Sequence, residues 1–130
     1  MTRGLSIALA AALACAAALS HAADYAREKR WADEVLPGLV VGNPVWLAWQ
    51  GRKFLALYAP ADDSRAAVLL VHGSGVHPDW GLIGALRTEL AERRFSTFSV
   101  QMPVLAADAR IEAYRETYHE AAGRIGAALD

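Results

Sequence analysis

Cysteine is almost absent from this 130-residue chain, Cys15 being the only one. It lies within the first 22 residues, so the chain that follows them can make no disulfide and owns no thiol nucleophile. A basic surplus is missing too. Setting aside Arg3, the one charged residue among the first 22, the 13 basic side chains become 12, against 14 acidic ones. Phosphate recognition depends on clustered Lys and Arg, so nucleic acid and anionic lipid are not expected as partners. Beyond the N-terminus no apolar run approaches the ~20 residues that cross a bilayer, so no membrane span is expected. No Gly-Lys-Ser/Thr follows a glycine loop, which excludes a P-loop, and no Gly-x-Ser-x-Gly occurs, which removes the usual strand-to-helix nucleophile turn.

The apolar content of 55% overstates the core, because Ala and Leu crowd residues 1–22. There Arg3 supplies a positive n-region, residues 5–19 an apolar stretch, and Ser20-His21-Ala22 a small-x-small cleavage site. Residues 1–22 therefore read as a secretory signal, with the mature chain starting at Ala23 in the periplasm or secreted. A membrane anchor competes, but the Ala-rich run is short for one. Lipidation at Cys15, through Ala12-Leu13-Ala14-Cys15, is a minor alternative, because Ala12 stands where a bulkier aliphatic is usual.

Residues 23–44 form a lead-in segment: a charged stretch at 24–33, helical or irregular, then turns marked by Pro37, Gly38, Gly42, Asn43 and Pro44. The domain proper is expected over residues 45–130. Runs at 45–49 (VWLAW) and 54–58 (FLALY), split by Gln50-Gly51-Arg52-Lys53, predict a β-hairpin. The unbroken apolar run at 66–71 (AAVLLV) fits a parallel strand buried on both faces. Leu82, Ile83, Leu86 and Leu90 then recur at helical spacing, with Asp79 as the expected N-cap and Arg93-Arg94 in the last turn. Residues 95–102 (FSTFSVQM) read as a strand ended by Pro103, and residues 108–129 as helical, with Gly123 and Gly126 against it. The order is hairpin, strand, helix, strand, helix, which predicts an α/β class with parallel strands joined by crossover helices.

The chemistry-bearing feature is Val71-His72-Gly73-Ser74-Gly75 at the end of the buried run. Gly73 and Gly75 permit backbone approaches that aim N–H groups at a developing oxyanion. A tight turn without chemistry competes with this reading. A dinucleotide fingerprint fails because the third glycine is missing and Pro78 intrudes. Ser74 as nucleophile fails because His72 and Val76 occupy the flanking glycine positions. His72, His77 and Asp79 lack the helical spacing of a metal pair, and His72 reads better as a structural, hydrogen-bonded residue. No metal or cofactor is expected. Trp46, Trp49 and Trp80 read as core or strand-face residues rather than as an acyl pocket.

The loop and the elements around it resemble the α/β-hydrolase fold, which opens with an antiparallel hairpin and carries a His-Gly loop after its third strand. The run at 68–103, with His77-Pro78-Asp79-Trp80, Leu86-Arg87 and Val100-Gln101-Met102-Pro103, resembles an exported bacterial family, domain of unknown function 3530. The resemblance covers about residues 45–130. It implies that His72, Gly73, Ser74 and Gly75 form an oxyanion loop, with Ser74 donating its N–H. It also implies a nucleophile, acid and base beyond residue 130, so the chain itself is expected to be an inactive, truncated form. Two function classes follow: the N-terminal part of an exported ester or acyl hydrolase with a small substrate, or a noncatalytic envelope protein that reuses the fold for binding. The same resemblance places the third strand between the fourth and fifth. It therefore leaves residues 68–71 on an open edge suited to self-association.

Overall fold

A computed structural model describes residues 23–130. The expected signal over residues 1–22 and the alternative at Cys15 lie outside the described residues. The described residues form a mixed α/β fold of four strands and three α-helices. Helix α1 (Tyr25–Val35) opens it, and the Asp24 carboxylate accepts the Arg27 N–H at 2.9 Å as an N-cap. A short 3-10 turn (Leu36–Gly38), entered through Pro37, ends α1. The lead-in segment thus packs on the sheet, with Ala32, Val35, Leu36 and Leu39 covering Leu55 and Leu57.

Strands β1 (Asn43–Trp49) and β2 (Arg52–Ala59) pair antiparallel around Gln50 and Gly51. Both turn residues have positive φ, 47° and 76°, the geometry that matches the twist of a two-residue hairpin. Arg52 and Lys53 therefore belong to β2, and the turn is two residues tighter than the spacing suggested. Strand β3 (Ala67–Val71), helix α2 (Gly81–Glu92), strand β4 (Ser96–Val100), a 3-10 segment (Ile111–Thr117) and helix α3 (Tyr118–Leu129) complete the chain. The sheet order is β1-β2-β4-β3, with β3 parallel and β2 antiparallel to β4.

Alternation along β2 assigns the two faces. Phe54 and Ala56 join Val100 and Met102 in a core covered by Ala121 and Ile125 of α3. Leu55 and Leu57 face α1, and on the same side the β4 hydroxyls hold the α2 region: Ser99 donates to the Pro78 carbonyl at 2.6 Å and Thr97 to that of Arg87. Burying hydroxyls is tolerable here because each has a partner.

Four expectations change. The run 66–71 is not buried on both faces: within β3 only Leu70 is buried and Val71 is 42% exposed, and the strand lies at an edge with one strand neighbour among the described residues. An apolar run is equally suited to a flat edge, so composition did not separate the two. Asp79 is not the N-cap of α2, which starts after Trp80. Its carboxylate instead binds the buried Arg87, which donates from Nε at 3.1 Å and Nη2 at 2.8 Å. Trp80 is neither a core nor a strand-face residue, lying 58% exposed just before α2, whereas Trp46 stands half exposed on a face of β1 and Trp49 packs on the Phe54 cluster. The helical stretch at 108–129 divides into the 3-10 segment and α3.

Candidate functional site

β3 and β4 run parallel and end together, and ligands of α/β sheets bind in the crevice beyond such carboxyl ends. There the chain leaves β3 as His72-Gly73-Ser74-Gly75 and leaves β4 as Gln101-Met102-Pro103. A cleft of about 200 Å³ lies between them, lined by Val71, His72, Gly73, Ser74, Met102 and Pro103, and closed by Tyr114, Thr117, Tyr118, Ala121 and Ile125.

His72 ties the two exits together. The Met102 N–H donates to its Nε2 at 2.9 Å, so that nitrogen is the acceptor and the ring proton sits on Nδ1, which donates to the Gly73 carbonyl at 2.7 Å. The Gln101 amide nitrogen lies 3.1 Å from Nε2 and donates to the Met102 carbonyl at 2.7 Å. Burial holds the imidazole pKa down at about 4, outweighing the Gly73 hydrogen bond that raises it. His72 is therefore neutral at pH 7 and fully engaged within the protein.

The loop is pinned from its other side as well. Gly75 has φ of 75°, a conformation that favours glycine, and the Tyr114 hydroxyl would lie 3.4 Å from a side-chain carbon there. Arg27 of α1 donates to the Leu105 carbonyl at 2.8 Å and to that of Gly75 at 3.4 Å, while the Leu105 N–H donates to the Tyr114 hydroxyl at 3.2 Å. Gly73 differs from the expectation placed on it. Its φ is not positive, and a side chain there would meet only open space, so the backbone does not demand glycine at this position. Among the described residues no internal acceptor takes the N–H of Gly73, Ser74 or Gly75, and Gly73 and Ser74 are exposed.

Behind Gln101 lies a buried charge cluster. Arg124 of α3 donates to Glu28 of α1 at 2.9 and 3.1 Å, to Glu120 at 2.5 Å and to the Gln101 carbonyl at 3.0 Å. Burial pushes the Glu28 carboxyl above its usual range, and the Arg124 guanidinium and the Val104 N–H pull it back. The cluster fastens the segment after β4 from the opposite side of His72.

The other candidates do not converge on the cleft. His77 sits between Trp31 and Trp80, ring centres 5.6 and 5.5 Å away, and its Nδ1 accepts the Asp79 N–H at 3.2 Å. Burial lowers its pKa, against the pull of Asp79 and Glu34. His119 packs edge-on against Trp49. Among the described residues no group of His, Cys, Asp and Glu is placed to hold a metal ion, and no serine or threonine hydroxyl is hydrogen-bonded to a histidine. No helix among them is long and apolar enough to cross a membrane.

Sequence reasoning missed Arg27, Gln101, Tyr114 and the Glu28–Arg124 pair. Arg27 and Tyr114 lie far from the loop in the chain, so no local spacing marks them. A family model described as a protein of unknown function, DUF3530, matches residues 5–125. No curated protein and no solved structure matches the chain.

Proposed function

The chain belongs to the DUF3530 family of proteins of unknown function, and from that premise we propose that it supplies the oxyanion side of an α/β-hydrolase-like site for esters or related acyl compounds. One observation carries the reading: Gly73 and Ser74 lie exposed on the wall of a cleft at the ends of parallel strands, and together with Gly75, the next residue of the loop, they carry consecutive N–H groups without internal partners. Such donors stabilise negative charge on a substrate oxygen when their direction is fixed beforehand. Here His72, Arg27 and Tyr114 hold the loop's carbonyls and turn, which leaves the N–H groups for a ligand. Gly73 keeps the approach open, because a side chain there would occupy only the space a ligand needs.

The chemistry stops at binding and polarisation. A nucleophile needs an adjacent base, and the imidazole beside the loop is neutral but spends its lone pair on Met102. That same observation favours a second reading, a noncatalytic envelope protein that uses the loop to hold an anion or carbonyl. In both readings residues 1–22 act as an export signal, and N-terminal sequencing of the exported product is expected to begin at Ala23.

The test is a titration of isotope-labelled protein with a short alkyl phosphonate, which mimics the charge of a tetrahedral oxyanion. Amide shifts are expected at Gly73, Ser74 and Gly75, and Gly73→Val is expected to remove them while the fold persists. In parallel, simple chromogenic esters are expected to show no turnover above background. Shifts that avoid the loop would sink the oxyanion reading. Ester turnover abolished by Ser74→Ala would overturn the assignment of the loop as purely a donor.

A further inference from the structure

Across the sheet from the loop cleft, a groove of about 400 Å³ opens between α1 and the β1–β2 hairpin. That volume lies within the roughly 300–1,000 Å³ of small-molecule sites. Its walls are Tyr25, Trp46, Phe54 and Leu55, and Lys29 and Lys53 are the exposed charged members of its lining. Trp46 is half exposed although it stands on the face that α1 covers, so a large apolar surface remains in water.

The polar groups decide what the groove accepts. Its buried members, Glu28 and Gln101, are committed within the protein: Glu28 to Arg124 and the Val104 N–H, and the Gln101 amide nitrogen to the Met102 carbonyl. They offer no uncompensated charge to an incoming molecule. At the exposed end Lys29 shares its charge with Asp33 at 2.6 Å, and Arg52 lies over the Tyr25 ring at 4.2 Å. Lys53 has no carboxylate partner among the described residues. The groove thus combines an apolar interior with positive charge at its exposed rim.

We propose that this groove is a binding site for small amphipathic monocarboxylates, whose hydrocarbon or ring lies along Trp46, Phe54 and Leu55 with the carboxylate at Lys53. A cationic amphiphile of the same length meets repulsion at Lys53, the cation of the lining without a carboxylate partner among the described residues. A neutral one gains the apolar contact alone. The site is separate from the Gly73–Gly75 loop, and its occupancy does not depend on the function proposed for that loop.

Calorimetric titration of the whole chain with octanoate, below its micelle concentration, tests the proposal, with octyltrimethylammonium as the opposite-charge control. Saturable binding at one site is expected for octanoate, weakening as salt is raised, and none for the ammonium. Lys53→Glu, at an exposed position, is expected to weaken octanoate about fivefold without changing the circular dichroism. Trp46→Ala is expected to weaken it about tenfold or more. Absence of saturable octanoate binding, equal binding of the ammonium, or wild-type affinity in Lys53→Glu would each overturn it.

Discussion

His72 must stay uncharged, because Met102 donates into its Nε2 and an imidazolium has no lone pair there to receive it. The consequence for stability has a definite sign. Unfolded, the imidazole protonates near its ordinary 6.5; folded, burial delays this to about 4. Between those values the unfolded chain binds more protons, so stability is fully present above about pH 6.5 and falls as pH drops toward 4. The gap corresponds to a loss on the order of 3 kcal/mol. Urea melts from pH 7 to pH 4 are expected to show this slope in the wild type and a flatter one in His72→Gln. Parallel curves would remove the role assigned to the ring. His72 was legible in the sequence as a hydrogen-bonded loop residue, because a histidine beside two glycines after an apolar strand has few other uses. Arg87 and Arg124 were not legible. An arginine on an amphipathic helix ordinarily faces water, and both are buried here only because carboxylates and carbonyls from other elements complete their hydrogen bonds.

Helix α3 carries two glycines that weaken a helix by composition yet differ in what surrounds them. A side-chain carbon at Gly123 would fall inside the Trp49 indole, whereas one at Gly126 would meet nothing. Gly123→Ala gains about 1 kcal/mol of helix propensity and loses about 1–3 kcal/mol to overpacking, so a net loss near 1 kcal/mol is expected. Gly126→Ala is expected to stabilise by roughly 0.5–1 kcal/mol. Denaturant midpoints measure both, and changes of the same sign would show that Trp49 does not set the spacing between α3 and β1. Element types followed from the residues themselves: alternation and Gln50-Gly51 specify the hairpin, and Pro103 follows β4. Boundaries did not. Asp79 has the chemistry of an N-cap, and the choice between capping α2 and binding Arg87 was settled by a guanidinium nearly two turns inside the helix.

For the whole molecule, the consequential feature is the open side of β3. Among the described residues it pairs only with β4, its stretch Ala67–Val71 has no Lys or Pro, and Val71 is 42% exposed. Such an edge invites pairing with a second copy, so the chain is expected to self-associate at micromolar concentration. Leu69 packs on the Phe54–Val100 cluster, so a charge there disturbs the core, whereas Val71→Lys is expected to reduce association and preserve the fold. Size-exclusion chromatography with light scattering measures this, and a concentration-independent monomer in the wild type would refute it. The sequence by itself determined the class of the fold, the order of its elements and the loop that closes β3. Those properties arise from side-chain period and turn residues acting over a few neighbours. Only the tertiary structure decided that α1 folds back so that Arg27 reaches Gly75, that Gln101 and Tyr114 meet the loop, and that Glu28 finds Arg124 across 96 residues. A buried guanidinium is favourable only when all its acceptors assemble at once, and no short stretch of sequence records that condition.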